Sequence, residues 1–428
     1  MAFSIFLLFT ASYFLRFTAR FPALGAVRFD MLLYLILVVC ALAAKGNTEK
    51  GENDRIVDAL IKFFYCAMLS VPLAMWPGSV MRAGLPNFLK SVLFFLYIAR
   101  FVNTEKKLKL FVVVFLGCQI FRGLEPAYLH LTQGYWGSFA ASHPAGGGKM
   151  QILERLSGAP VDIVNPNQLG WVINSTFPFL YYLGWQAKKI YLRLGAIALA
   201  GILMYPLLLT GSRTGIVCLF VILLAIVALG KNASKNLVIL CFVITPLLSV
   251  VMGLLSPDMA ERYRSLVDSN AAGAETTQGR ITGLQRNLST AVNFHGIFGH
   301  GLGTTSEVNT HYLGGRQPSH NLYLETLQEV GVVGLFFFLR YIATILSVLK
   351  NTKIDLKHMS TSYPFRLIMA LQVWIFYQLI YSLACFGLLS WEWYLFGGLA
   401  LVTIRLAIVE NRNSEKDKIG LLNTKEPA

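Results

Sequence analysis

Long blocks of apolar residues alternate with short polar segments along most of this chain. The blocks are roughly 17–25 residues long, enough for an α-helix to cross a hydrocarbon core about 30 Å thick. We therefore predict an all-α polytopic membrane protein with about twelve transmembrane helices. Their approximate ranges are 3–19, 29–45, 59–76, 87–103, 108–127, 168–186, 190–210, 213–230, 235–255, 320–349, 365–387 and 390–408.

Two polar stretches, about 128–167 and 256–319, are too long to be tight turns. The second contains helix signals. Ser256 and Pro257 precede acidic residues, as at a helix start, and residues 279–294 carry apolar positions at a 3.6-residue period. We predict a transmembrane domain over 1–409 with a large, partly helical outer loop. Residues 410–428 are polar and are expected to form a disordered tail.

Composition supports this class, because only 14% of the residues are charged, against roughly 25% in soluble domains. The formal charge of +15 is not gathered on a soluble domain, so nucleic-acid binding is rejected. Apart from Lys149, the lysines of the predicted loops fall in alternate loops and the C-terminal tail, which the positive-inside rule places in the cytoplasm. Both termini are then cytoplasmic, and both long loops face outward. The apolar N-terminus is interpreted as a retained first span, not a removed signal peptide.

Arginines, unlike lysines, are frequent in the predicted outer loops. A guanidinium is a planar fork suited to bidentate phosphate binding, although interfacial anchoring explains many such arginines equally well. The outer-face arginines include Arg82, Arg155, Arg213, Arg262, Arg264, Arg280, Arg286 and Arg316. Arg122, near the outer end of the fifth predicted span, is a further candidate for substrate binding, because an ionisable residue at membrane depth usually has a functional reason.

The residues from Ser319 to Gly334 combine a polar loop end with an apolar helix. If residues 320–334 are helical, His320, Leu324, Leu327, Gly331 and Gly334 share one face. The two glycines would let another helix approach closely. His320 would then lie at the membrane boundary as a candidate base, with Asn321 beside it. The alternative is a structural histidine that makes a cap-like hydrogen bond at the helix start.

Two glycine-flanked arginines are candidate anion ligands. Arg213 lies in the short segment Thr210-Gly211-Ser212-Arg213-Thr214-Gly215, and Arg280 follows Gly279. Glycines next to a helix start favour anion binding, although a tight turn with an interfacial arginine explains the first segment equally well. Arg286 is a weaker candidate, about one and a half helical turns beyond Arg280.

Other polar motifs carry less information. The segment Phe298-Gly299-His300-Gly301-Leu302-Gly303 is expected to be a loop, and its His300, like His311, is a minor alternative base. Asn165 and Gln168 precede the sixth span, where capping is favoured over sugar binding. The six cysteines are scattered singly, and the predicted outer loops contain no Asp-x-Asp pair, no acidic cluster and no His-Glu-x-x-His motif. We therefore expect no metal and no cofactor.

These motifs together resemble the O-antigen ligase and polymerase superfamily of bacterial envelope glycosyltransferases. The resemblance is carried by Arg213 in its short loop, by the Gly279-Arg280 pair, and by His320-Asn321 followed after nine residues by Gly331-x-x-Gly334. The Phe-Gly-His-Gly-Leu-Gly segment also looks like the family. The resemblance is strongest over about 160–345, and elsewhere it is limited to hydropathy.

The resemblance implies transfer of O-antigen polysaccharide from undecaprenyl diphosphate to a sugar hydroxyl of lipid A–core oligosaccharide. The reaction would take place on the periplasmic face of the bacterial inner membrane. His320 would be the general base, Arg213 and Arg280 would clamp the diphosphate, and the anomeric centre would invert. Arg286, Asn321, Arg122 and Arg316 are the further substrate-binding candidates. The expected partners are these two glycolipids and membrane lipids, whereas the oligomeric state is left open.

Three other functions remain in view. An O-antigen polymerase would use the same donor with a second lipid-linked glycan as acceptor. A protein O-oligosaccharyltransferase has similar motifs, but usually a larger C-terminal periplasmic part. A lipid-linked oligosaccharide flippase would more often show paired halves and broken helices at mid-membrane, whereas here the polar motifs cluster at one face.

Overall fold

A computed structural model describes residues 1–43, 54–137, 141–145, 149–162, 164–230, 257–264, 274–293, 296–314, 319–385 and 387–423. Over these residues the chain is helical apart from its loops and one antiparallel hairpin. The first helices are α1 (Ala2–Leu15), α2 (Phe17–Arg20), α3 (Pro22–Ala26), α4 (Phe29–Ala43), α5 (Asp54–Ser70), α6 (Pro77–Ser79), α7 (Leu85–Phe101) and α8 (Glu105–Gln133). The hairpin pairs β1 (Ala141–Ala145) with β2 (Lys149–Leu153).

The later helices continue to residue 423. They are α9 (Pro166–Asn174), α10 (Phe177–Phe179), α11 (Ile190–Leu209), α12 (Arg213–Leu229), α13 (Pro257–Arg264), α14 (Ala274–Asn293), α15 (Thr305–Leu313), α16 (Leu322–Asp355), α17 (Tyr363–Tyr381) and α18 (Glu392–Asn423). Short 3₁₀ turns lie at Val71–Leu73 and Lys357–Met359, and π-helical turns lie at Val80–Gly84 and Leu180–Trp185.

In the described part of the chain, six helices are long and apolar enough to cross a membrane. These are Arg55–Leu73, Glu105–Gln133, Ile190–Leu209, Leu322–Asp355, Tyr363–Tyr381 and Glu392–Asn413. Three shorter apolar helices, α1, α4 and α12, accompany them. The helical membrane class is thus confirmed, whereas the number of twelve spans stays a prediction. The predicted span 235–255 lies outside the described residues.

The predicted sixth span, 168–186, is not one continuous helix. It is divided into α9, α10 and the π-helical turn Leu180–Trp185. Pro178 has no N–H to donate, so a regular helical hydrogen bond is lost there. The hydroxyls of Ser175 and Thr176 donate to the carbonyls of the preceding turn, at 2.7 Å each. Local chemistry therefore divides a segment whose hydropathy alone favours a single span.

The prediction that residues 410–428 are disordered is wrong for its first part. Helix α18 continues past residue 410 as far as Asn423. Glu, Lys, Ile and Leu are common in residues 415–423, and most of these residue types form helices readily, so the backbone stays helical after the apolar stretch ends. The cytoplasmic location of this tail stays a prediction.

The core is rich in aromatic side chains from α17 and α18. Trp374, Tyr377 and Trp393 are fully buried. The hydroxyl of Tyr341 on α16 donates to the Trp393 carbonyl at 3.1 Å, which connects α16 to α18. Large apolar side chains such as Leu42 remain exposed on the outer helices, as expected for helices that face lipid.

The predicted helices of the 256–319 segment are confirmed. Helix α13 begins at Pro257, and α14 spans the periodic stretch and begins five residues before it. The structure adds α15 between the glycine-rich segment and His320. The side of the membrane on which this segment lies stays a prediction.

Candidate functional site

His320 lies at an exposed turn immediately before α16. Its φ of 49° is in the left-handed region, which few residues other than glycine adopt. Asn321 is the N-cap: its side-chain oxygen accepts from the backbone N–H groups of Tyr323 and Leu324, at 3.0 Å each. The Asn321 amide also donates to the Leu383 carbonyl at 3.2 Å. The capping group at this helix start is therefore Asn321, and the backbone of His320 is held in an uncommon conformation beside it.

The predicted helical face from His320 to Gly334 is wrong in two respects. His320 precedes the helix, because Asn321 is the N-cap and Leu322 is the first helical residue. Gly331 has φ 71° and ψ −174°, which is not helical and breaks α16 into two segments. Gly334 is buried and faces α5, as the small-residue spacing predicts.

The glycine-rich loop supplies the hydrogen bonds that the break at Gly331 removes. The backbone N–H of His300 donates to the Gln328 carbonyl at 2.8 Å, and that of Gly301 donates to the Glu329 carbonyl at 2.9 Å. These carbonyls would otherwise accept bonds within the helix. The expected loop is confirmed, and His300 is buried in it, which argues against the role of an exposed base.

Gly331 is required by a close backbone approach. A Cβ at this position would lie 2.1 Å from the Ile297 carbonyl oxygen. The next residue, Val332, donates its N–H to the Gly296 carbonyl at 2.9 Å. Gly331 therefore joins the loop at Ile297 and Phe298 to α16, and the atoms nearest to a Cβ at this position belong to that loop, not to the second helix that the spacing had suggested.

Helix α14 reaches the turn that carries His320. The amide of Asn287 donates to the Ser319 carbonyl at 3.4 Å, and the Gln328 amide on α16 donates to the Asn287 carbonyl at 3.5 Å. Position 280 lies seven residues, or about two turns, before Asn287, on the same helical face. Arg286 is exposed next to Asn287. The structure therefore brings the helix of Arg280 and Arg286 to the His320 turn.

Arg213 is the first residue of α12 and directly follows the short turn Thr210-Gly211-Ser212, which positions it. Ser212 is the N-cap, and its hydroxyl accepts from the Gly215 N–H at 3.0 Å. Gly211 has φ 55°, which its lack of a Cβ permits. Arg213 is half-buried. It lies at the N-terminus of a helix, where the helix dipole favours an anion.

Two buried arginines hold the turn before α12. Arg155 donates from Nε to the Thr210 carbonyl at 2.8 Å, and Arg262 donates from Nε to the Gly211 carbonyl at 2.7 Å. These carbonyls follow the C-terminal end of α11, where cations are favourable. Sequence alone grouped both arginines with the other outer-face arginines, and the structure gives them this defined positioning contact.

Tyr263 completes the contact with the end of α11. Its hydroxyl donates to the Leu208 carbonyl at 2.9 Å. Burial raises the pKa of Tyr263 well above its ordinary value, so the phenol stays protonated and remains a donor at neutral pH. Arg262 and Tyr263 both belong to α13, and this helix therefore contacts the turn that precedes Arg213.

Arg122 has a structural partner. Its Nε lies 2.8 Å from one Asp162 carboxylate oxygen and 3.1 Å from the other. A terminal nitrogen donates to Gln119 Oε1 at 3.0 Å. Arg122 and Asp162 are both buried, so this charge is compensated within the protein. Arg122 nevertheless lines a cavity of about 230 Å³ that adjoins the start of α16 at Leu322. The remaining candidate, Arg316, lies outside the described residues.

Two buried carboxylates on α16 hold neighbouring loops. Glu325 accepts from the backbone N–H groups of Gly387 and Leu388, at 2.6 and 3.0 Å. Glu329 accepts from the Thr305 hydroxyl at 2.9 Å. These roles were not predicted from the sequence, although acidic residues four apart inside an apolar helix are a recognisable signal.

The remaining predictions for this region concern capping and metal binding. Asn165 and Gln168 form a reciprocal capping box at α9, with bonds of 3.0 and 3.2 Å, so the capping interpretation is confirmed. Among the residues that the structure describes, no three or more His, Cys, Asp or Glu side chains form a group that could hold a metal ion.

The described geometry thus places His320, α14 and the Gly331 break in one assembly, with Arg213 on a separately held turn. Residues 196–339 match the family model described as O-antigen ligase. This match confirms the resemblance to the O-antigen ligase superfamily. The matched segment contains Arg213, Arg280, His320 and both glycines of the His motif. A comparison with curated proteins found no match.

Proposed function

We propose that this protein transfers O-antigen polysaccharide from undecaprenyl diphosphate to a sugar hydroxyl of lipid A–core oligosaccharide. One observation carries the proposal: within the segment matched to the O-antigen ligase family, an exposed histidine is held in a left-handed turn beside a helix that carries Arg280. An uncommon backbone conformation that its neighbours maintain is typical of functional positions.

His320 acts as the general base in this reaction. An imidazole ordinarily titrates near pH 6.5, so a neutral imidazole can take the proton of an attacking hydroxyl at physiological pH. The acceptor oxygen attacks the anomeric carbon, and the diphosphate of the carrier leaves from the opposite face. The bond to the acceptor forms as the bond to the diphosphate breaks, which inverts the anomeric centre.

Arg213 and Arg280 stabilise the departing diphosphate. Negative charge grows on the leaving group as the glycosidic bond breaks, and fixed cations that face this charge lower the barrier. Arg213 is suited to this role because it lies at the N-terminus of α12 on a turn that Arg155 and Arg262 hold in place. No metal is needed to neutralise the charge in this mechanism, and Arg286 is an additional contact.

The reaction takes place on the periplasmic face of the inner membrane. The asymmetry of the lysines supports this orientation, with both termini in the cytoplasm and twelve spans. In that arrangement the starts of α12 and α16 both lie on the outer side. There they meet a lipid-borne donor and the core sugars of a lipid-borne acceptor.

Analysis of glycans in a deletion strain tests the proposal against its rivals. We expect polymerised glycan to accumulate on the lipid carrier, while lipopolysaccharide lacks O-antigen. Wild-type protein should restore capped lipopolysaccharide, His311→Ala should do the same, and His320→Ala should not. Lipopolysaccharide that carries a single repeat unit would favour an O-antigen polymerase instead. Glycan trapped in the cytoplasm would favour a flippase. Either result would overturn the proposed acceptor chemistry.

A further inference from the structure

A cavity of about 230 Å³ lies next to the candidate site and has no role in the reaction as described above. It is bounded by the end of α1, the outer part of α8, the start of α9 and the connection from α17 to α18. Its lining includes Tyr13, Arg16, Arg122, Trp171, Ser382 and Glu392. Sites for drug-sized ligands usually enclose about 300–1,000 Å³, so this cavity fits a smaller group.

The cavity lining carries little net charge. Arg122 is paired with Asp162, and the other acidic or basic side chains of the lining are Arg16 and Glu392. A diphosphate requires several positive charges that face it. This lining, with one arginine beyond the Arg122–Asp162 pair, favours a polar ligand of low charge.

Aromatic and hydrogen-bonding groups line the same space. Trp171 and Trp391 are in edge contact, with ring centroids 5.5 Å apart, and Tyr13 contributes a third ring. The Trp171 Nε1–H donates to Gln378 Oε1 at 2.7 Å, which fixes the indole. Flat apolar rings beside carboxylate, hydroxyl and amide groups match a sugar ring, which has apolar C–H faces and polar hydroxyl edges.

A second observation indicates a missing polar partner. The Ser382 hydroxyl is buried at the cavity wall, and none of the residues that the structure describes offers it a hydrogen-bond partner. A buried polar group normally has a partner, because leaving it without one is costly. A sugar hydroxyl in the cavity would supply this partner.

The cavity adjoins both parts of the candidate site. Leu322, two residues after His320, lines it and donates its N–H to the Ser382 carbonyl at 2.9 Å. On the other side, Gln168 lines the cavity next to Asn167, which accepts from Arg155 at 2.9 Å. Arg16 and His320 are two of the three described non-glycine residues with positive φ, the third being Arg28. Both uncommon conformations therefore occur at or beside the cavity.

We propose that this cavity holds one sugar ring of a glycan substrate, next to the His320 turn. This inference rests on the proposed glycan transfer, since it names a binding site for the same reaction. The ring belongs either to the donor, next to its diphosphate, or to the core acceptor. Both sources share the chemistry that the cavity recognises, and kinetics distinguishes them.

Steady-state transfer by the purified full-length protein in micelles provides the test. Glu392→Gln keeps the side-chain size and removes the charged acceptor. Ser382→Ala removes a hydroxyl that has no partner among the described residues, so we expect its melting temperature not to fall. We expect each variant to raise KM for one glycan, by about tenfold for Glu392→Gln, with a smaller change in kcat. A rise confined to the donor or to the acceptor identifies the source of the ring. Glu410→Gln, on the same helix and outside the cavity lining, should leave both KM values unchanged.

A binding measurement separates this inference from the proposed function. Saturation-transfer NMR on His320→Ala protein would use two probes: lipid-free core oligosaccharide and lipid-free O-antigen oligosaccharide. We expect magnetisation to reach one probe, and Glu392→Gln and Ser382→Ala to weaken that signal. Unchanged KM values and unchanged signals in both variants would overturn the sugar site. Failure of wild-type protein to transfer glycan would overturn the proposed function alone, because binding is detected without transfer.

Discussion

The starts of α12 and α16 each carry a proposed reacting residue, but they hold it in different ways. Arg213 is the first residue inside α12 and is half-buried. His320 lies one residue outside the Asn321 cap of α16 and is exposed. Both helices have a side-chain N-cap, Ser212 in one case and Asn321 in the other.

The difference follows the chemistry that each residue performs in the proposed reaction. A charge that stabilises a leaving group is most effective when it does not reorganise, and the Arg213 turn is fixed by Arg155 and Arg262. A base must reach a proton on an incoming hydroxyl, so it has to remain accessible. At His320 the rigidity lies in the backbone and the neighbouring cap, and the imidazole itself stays exposed.

The largest effect is expected at the break in α16. Gly331→Ala introduces a Cβ 2.1 Å from a backbone oxygen, in a conformation that only glycine adopts readily. We expect a loss of more than about 3 kcal/mol in the free energy of unfolding, seen as a large fall in melting temperature. Gly117→Ala, inside α8 with open space around it, is the control and should be neutral or mildly stabilising. Equal melting temperatures of the two variants would show that the contact between the glycine-rich loop and α16 does not depend on the break at Gly331.

The next largest effect is expected on kcat when the positive charge of Arg213 is removed. Arg213→Gln should lower kcat for glycan transfer by about 100-fold, because one preorganised donor to the leaving group is lost. Arg213→Lys and Arg280→Lys should also be impaired, since a point charge does not replace a planar fork. Arg264→Lys, at an exposed position on α13, serves as the control. Full activity of both Arg213 variants would show that Arg213 does not stabilise the leaving group.

A smaller effect is expected at the cap beside His320. Asn321→Ala removes the acceptor of two N–H groups and the donor to Leu383. We expect about 1–2 kcal/mol less stability and a lower kcat, because the His320 turn loses its support. Asn321→Asp retains the capping oxygen and should recover most of the stability. If Asn321→Ala destabilised the protein but left kcat intact, the cap would be structural only.

The smallest effect is expected at Ser212, the N-cap of α12. Ser212→Ala should cost about 1 kcal/mol of stability. Its effect on kcat should be slight, because Arg155 and Arg262 still hold the turn that carries Arg213. Thermal melting and steady-state transfer on one preparation measure both quantities. A larger loss of kcat for Ser212→Ala than for Asn321→Ala would reverse the comparison.

Features encoded within a few residues were predicted from the sequence. The capping box of Asn165 and Gln168 follows from their three-residue spacing, and α13 follows from its Ser-Pro-acidic start. The periodic apolar positions of α14 likewise predict a helix. In each case, local hydrogen bonds or burial of one face is sufficient to set the structure.

Features that depend on distant partners were not predicted. Gly331 looked like a helix-packing residue, because its conformation depends on a loop some thirty residues earlier in the chain. The pairing of Arg122 with Asp162 spans forty residues. Arg16 and Glu392, which line the same cavity, are separated by most of the sequence. A hydropathy pattern does not encode contacts between residues that are far apart in the chain. The motif therefore located the site around His320, but the residues that surround it could not be predicted.

The central claim is that His320 is the base for glycan transfer, and purified protein tests it most directly. His320→Ala and wild-type protein are compared in micelles with lipid-linked O-antigen and lipid A–core acceptor, after thermal melting has shown that both are folded. We predict that the variant melts close to the wild-type temperature and forms no ligated product. Transfer by folded His320→Ala at the wild-type rate would contradict the account.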